Sequence, residues 1–212
     1  MHKSIINLNS IKENLKSKVK NYNKIKVIAV SKTFAIDKIT PLIDYGHCDF
    51  GENKVQEAID KWAGIKLNHP KIKLHLIGKL QTNKVKFAIK LFDYIHSVDN
   101  EKLAKKISDE EKKINKKVKI FIQVNIGNEE QKSGIKKKQL QEFYLYCKNL
   151  NLDVIGLMCI PPFNEDPILY FKEMQTLNGT LKLDELSMGM STDYIEAANY
   201  SSTFLRIGSS IF

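Results

Sequence analysis

Arginine is almost missing from this chain. Of its 34 cationic residues, 33 are lysine, and Arg206 is the single arginine. A composition that writes nearly every positive charge as lysine, yet keeps one guanidinium within Thr203-Phe204-Leu205-Arg206-Ile207-Gly208-Ser209, points to a planar, permanently charged fork at that place. The alternative is chance survival of one arginine in a biased composition. Cysteine is scarce too. Cys48, Cys147 and Cys159 are odd in number and have no paired spacing, which argues against a disulfide framework and the common zinc patterns. They are expected to be small buried hydrophobes. The histidines at 2, 47, 69, 75 and 96 form no helical pair and have no acidic cluster beside them, so no metal is expected.

Long apolar runs are absent as well. None is long enough to cross a bilayer, and residues 1–20 mix Lys, Asn and Glu without the apolar core of a signal peptide. A cytoplasmic protein without a membrane partner is expected. The net charge of +10 raises the question of a polyanion. Yet the lysine runs Lys112 to Lys119 and Lys136 to Lys138 lack interleaved aromatics, arginines and any nucleic-acid motif. They read as solvated helix faces, and no nucleic-acid partner is expected.

What is present is a regular alternation. With 212 residues and 42% apolar content, the chain suits one substantial core. Ile5, Leu8, Ile11, Leu15 and Val19 recur at helical spacing, which predicts an opening amphipathic helix. Strands are predicted near 26–31, 47–50, 72–77, 94–98, 118–125, 153–159, 184–188 and 203–207. Helical patterns fill the intervals, beginning at Thr40, Asn53, Thr82, Asn100, Lys136, Ile168 and Asp193. Alternating strands and helices imply parallel strands with right-handed crossovers. Eight such pairs without a linker predict one domain over 1–212, a single α/β (β/α)8 TIM-type barrel with an N-terminal amphipathic helix. A doubly wound open sheet is the other candidate, but no G-x-G-x-x-G or Walker sequence accompanies it.

In such a barrel the active site gathers at the C-terminal strand ends. Lys32 closes the apolar run Val27-Ile28-Ala29-Val30-Ser31, where burial against the core would lower its pKa and leave an amine able to attack a carbonyl. A lysine snorkelling outward fits the same position. Ser187 to Ser191 and Gly208-Ser209-Ser210 follow strands seven and eight, where barrels of this type often hold a phosphate. Both stretches also suit ordinary turns. A reactive lysine, a phosphate cradle and a group for a ring nitrogen together form the set that pyridoxal 5′-phosphate (PLP) requires. Arginine as the ring partner would leave that nitrogen unprotonated, so carbanions would be poorly delocalised.

The segments Ala29-Val30-Ser31-Lys32-Thr33, Phe50-Gly51-Glu52-Asn53, His75-Leu76-Ile77-Gly78, Ser97-Val98-Asp99 and Gln123-Val124-Asn125 resemble the pyridoxal phosphate homeostasis protein family. So do Lys132-Ser133-Gly134, Gly156-Leu157-Met158-Cys159-Ile160-Pro161, Leu186-Ser187-Met188-Gly189-Met190-Ser191 and Arg206-Ile207-Gly208-Ser209-Ser210-Ile211-Phe212. The match keeps the family's order along nearly the whole chain. It implies a barrel like the alanine racemase N-terminal domain that binds PLP without a firmly established catalytic activity. By motif, the resemblance gives Lys32 the Schiff base, Arg206 the pyridine nitrogen, and Ser191, Gly208 and Ser209 the phosphate. It also implies Asn53 beside the cofactor, with Met158 and Ser187 lining the pocket. Ser201 stands where the family usually has Gly, and Ser209 where it commonly has Thr; the family continues past the Ile-Phe at which this chain stops.

The function expected is a monomeric, non-catalytic carrier and buffer of PLP that serves apo PLP-dependent enzymes. Racemisation on this fold needs a second acid/base opposite the cofactor, and Tyr94, Tyr144, Tyr146 and Tyr170 sit in packing patterns. The alternative is a small PLP-dependent racemase or lyase using Asp99 or Lys84 as base.

Overall fold

A computed structural model describes all residues from Met1 to Phe212. The apolar runs form β1 (Lys26–Val30), β2 (Asp49–Glu52), β3 (Lys73–Leu76), β4 (Tyr94–Val98), β5 (Lys119–Gln123), β6 (Asp153–Met158), β7 (Glu185–Ser187) and β8 (Phe204–Ile207). All pair in parallel in chain order, and β8 closes on β1 with Lys26 opposite Phe204 and Ala29 opposite Ile207. The result is the (β/α)8 barrel read from the alternation.

Around it lie α1 (Lys3–Lys18), α2 (Ile36–Asp44), α3 (Val55–Asn68), α4 (Val85–Leu91), α5 (Glu101–Ile114), α6 (Leu140–Asn149), α7 (Pro167–Thr180) and α8 (Tyr194–Asn199). Helix α1 lays Leu8, Ile11 and Leu15 inward and packs against α2 and α8, covering the seam where β1 meets β8. Asn100 begins α5 by accepting the Leu103 N–H at 2.9 Å, and Asp166 caps α7 ahead of Pro167. No helix is long and apolar enough to cross a membrane.

Among the boundaries that differ from the sequence reading, two have a clear local cause. Strand β2 begins at Asp49, later than 47–50, and runs through Glu52. Its charges hid it: Glu52 is fully buried because Ser31, Lys61 and Trp62 all donate to its Oε1. Helix α2 starts at Ile36 rather than Thr40, since its N-cap, Ala35, offers no side-chain signal.

Apolar residues divide into two groups separated by the barrel wall. The larger fills the layer between strands and helices, with Trp62, Phe92 and Phe171 fully buried. The smaller, Ile28, Tyr94, Phe121, Met158 and Phe204, plugs the barrel interior. Each aromatic ring withdrawn there stabilises the fold by about 2–3 kcal/mol. Two imidazoles share this plug. His75 stacks on Tyr94 with centroids 4.3 Å apart, and His96 stacks on Phe121 at the same separation. The lysine runs are tied down locally: Lys113 pairs with Glu110, Lys117 with Glu111, and Lys137 with Glu173.

Candidate functional site

Because side chains alternate along a strand, the inward residues that follow the plug rise to the C-terminal mouth. There a cavity of about 730 Å³ opens, and Lys32, Asn53, Ser191, Arg206, Gly208 and Ser209 all line it. Six of the eight residues expected at the cofactor therefore meet around one space. Met158 and Ser187 do not line it. Both are fully buried one layer below, Met158 in the plug and Ser187 against Arg206.

Lys32 is placed differently from the expectation of a buried amine. Ser31 is fully buried, but Lys32 is exposed. The reason is the turn that follows: Thr33 has φ 66°, a left-handed conformation costly for a β-branched residue, and it carries the chain off the strand immediately. The snorkelling geometry is the one adopted. Glu52 fixes the base of Lys32, because Ser31 Oγ donates to Glu52 Oε1 at 2.7 Å while Lys61 donates to both Glu52 Oε1 and the Ser31 carbonyl.

Arg206 is held from beneath. Its Nη1 donates to Ser187 Oγ at 2.7 Å, and its Nη2 donates to the Cys159 carbonyl at 2.9 Å. No carboxylate forms an ion pair with it. Burial lowers its pKa, yet guanidinium stays charged at any ordinary pH. The loops after β7 and β8 are joined where the Ser210 N–H donates to Ser191 Oγ at 3.3 Å. This brings the small residues Ser191, Gly208 and Ser209 into one wall.

Two lining lysines were missed by the sequence reading: Lys79 and Lys132. They lie on loops, outside the strand-end logic, and Lys132 is steadied by Glu129 and the Pro161 carbonyl. Every ionisable group that lines the cavity is therefore a cation, Lys32, Lys79, Lys132 or Arg206. No carboxylate, imidazole, phenol or thiol lines it. Asp99 and Lys84, the bases considered for an enzyme, lie elsewhere; Asp99 accepts the Gly134 N–H at 3.2 Å. Tyr94 belongs to the plug, and Tyr144, Tyr146 and Tyr170 pack on the outer core.

This donor set suits a small anion that also carries a carbonyl: a phosphate for the cationic, hydroxyl-bearing wall and an aldehyde for the exposed amine. PLP meets that description.

Residues 6–212 match the model of the alanine racemase N-terminal domain family. The pyridoxal phosphate homeostasis protein of Aquifex aeolicus is 37% identical over 197 residues, covering 88% of this chain and 86% of that protein. Its namesake in Escherichia coli is 35% identical over 198 residues, 89% of this chain and 85% of that one. Among solved structures, PipY of Synechococcus elongatus with PLP bound superposes with a TM-score of 0.85 at 32% identity, over 94% of this chain and 97% of that one. An alanine racemase from Clostridium difficile shares the fold, with a TM-score of 0.76 at 16% identity, over 99% of this chain but 56% of the racemase.

Proposed function

The chain belongs to the pyridoxal phosphate homeostasis protein family, and on that premise we propose that it is a cytoplasmic carrier and buffer of PLP, with one cofactor-binding unit over residues 1–212. The observation that carries this reading is the convergence of Lys32 and Arg206 on one cavity whose ionisable lining is wholly cationic. When bound, PLP supplies an aldehyde that condenses reversibly with an amine and releases water.

The residues divide the work of holding it. Lys32, exposed at the mouth, offers the amine where solvent can deliver and remove water. Ser191, Gly208 and Ser209 take the phosphate, with Lys79 and Lys132 adding charge. Arg206 donates toward the pyridine nitrogen; being always protonated, it leaves that nitrogen without a proton of its own. The cofactor is thereby kept a poor electron sink. Met158 and Ser187 act from below the floor rather than by contact.

Absence of a carboxylate or phenol from the lining supports a carrier over a racemase, since proton transfer on both faces needs two positioned groups. Incubating the PLP-loaded protein with a panel of L-amino acids tests this. No sustained turnover is expected; turnover at about 1 s⁻¹ or faster would establish an enzyme instead. Release to apo PLP-dependent enzymes as recipients, by a monomeric carrier, completes the reading.

A further inference from the structure

Beneath Arg206 a file of hydrogen bonds runs through the barrel to its opposite mouth. Arg206 Nη1 meets Ser187 Oγ at 2.7 Å, Ser187 Oγ meets His96 Nδ1 at 2.8 Å, His96 Nε2 meets His75 Nδ1 at 3.0 Å, and His75 Nε2 meets Asp49 Oδ1 at 3.0 Å. The three middle residues have no solvent exposure, whereas Asp49 is the first residue of β2 and borders a separate cavity of about 480 Å³. These residues come from β8, β7, β4, β3 and β2. They take the place of the branched apolar side chains that usually fill such an interior.

The carboxylate end of the file dictates its direction. Guanidinium can only donate, so Ser187 Oγ accepts from it and keeps its own proton free, and with Asp49 setting the file that proton goes to His96 Nδ1. His96 then carries its one proton on Nε2 and donates to His75, which likewise donates from Nε2 to Asp49. An ionised carboxylate can only accept. In the reverse direction the bare Nε2 of His75 would face that carboxylate at 3.0 Å, lone pair against lone pair. Burial keeps both imidazoles below the usual histidine range and hence neutral, as the file requires.

We propose that Asp49 is a positioning residue for Arg206, acting through His75, His96 and Ser187 from the far side of the barrel. It fixes the tautomer of each ring and so the rotor of the Ser187 hydroxyl, leaving a lone pair pointed at Arg206. The proposal rests on the reading above in which Arg206 faces the pyridine nitrogen. Asp49 would then govern how firmly PLP is gripped without approaching it.

Nitrogen NMR of the histidine side chains, on protein free of PLP, tests the file itself. At pH 7, His75 and His96 are expected neutral with Nε2 protonated. Asp49→Ala should mix both tautomers, whereas Asp49→Asn, whose amide oxygen still accepts, should restore them. On PLP-loaded protein, Asp49→Ala should shift the visible absorption band and weaken binding several-fold, with Asp49→Asn close to the parent. Nδ1 protonation or an imidazolium in the parent, or unchanged rings in Asp49→Ala, would overturn the proposal. Arg206→Gln separates the two readings. Should it move the band while Asp49→Ala does not, the proposal fails and the placement of Arg206 stands. Should neither move it, the placement of Arg206 fails and takes the proposal with it.

Discussion

Gly78 and Asn53 touch through their backbones: a Cβ built on Gly78 would stand 2.3 Å from the Asn53 carbonyl oxygen. Both residues line the cavity at the mouth, one after β3 and the other after β2. Only hydrogen fits there.

Gly78→Ala should therefore push the Asn53 backbone outward. Overpacking of this kind costs about 1–3 kcal/mol, and the displacement falls on a wall of the cavity at the mouth. A lowered urea midpoint together with weaker PLP binding by titration is expected. A variant as stable as the parent, with unaltered affinity, would place the two segments farther apart.

Ser201 offers the opposite case. It holds φ 67°, the left-handed region in which a residue with a Cβ costs about 1–2 kcal/mol, and it stands where the family usually has glycine. Ser201→Gly should relieve that strain, offset by glycine's freer unfolded chain and by loss of the 2.7 Å bond from Gln175 Nε2 to Ser201 Oγ. A net gain of up to about 1 kcal/mol in urea unfolding is expected. Destabilisation would show that the Gln175 bond outweighs the backbone.

Stability should fall in mild acid. Burial pushes His47 down to about 4 from an ordinary 6.5, and it moves His75 and His96 in the same direction. A folded-state pKa below the unfolded one means that the unfolded chain binds the extra proton first. The stabilisation is complete above pH 6.5 and is lost as pH falls toward 4. Each such group contributes a slope of up to about 1.4 kcal/mol per pH unit in that window. Urea titrations at half-unit pH steps should show it, with a shallower slope in His47→Gln. A flat profile between pH 6.5 and 4.5 would contradict the burial of these rings.

The barrel was legible because eight buried runs alternate with eight helical ones, and a parallel barrel strand, covered on both faces, has little polar punctuation. Where charge enters a strand, as at Asp49 and Glu52, the edge blurred by two residues. At the mouth, strand-end logic pointed to Lys32 and to the stretches Ser187 to Ser191 and Gly208-Ser209-Ser210, because a polar residue ending an apolar run faces the mouth, and the family resemblance supplied Asn53 and the separate roles; Lys32, Asn53, Ser191, Arg206, Gly208 and Ser209 all line the one cavity. Loop lysines escaped that logic. Ser187 and Met158 sit at strand ends too, but one layer lower, and depth along the barrel axis depends on register between strands. The histidine file was invisible as a motif, since its members are far apart in sequence. Parity would have exposed part of it: His75 and His96 stand two residues before Ile77 and two after Tyr94, on the inward face of neighbouring strands.

Reductive trapping tests the central claim most directly. Borohydride treatment of PLP-loaded protein, followed by peptide mapping, should place the pyridoxyl label on Lys32 alone among the 33 lysines, and Lys32→Ala should take up none at the cavity. A label on Lys79, Lys132 or any other lysine in place of Lys32 would contradict the account.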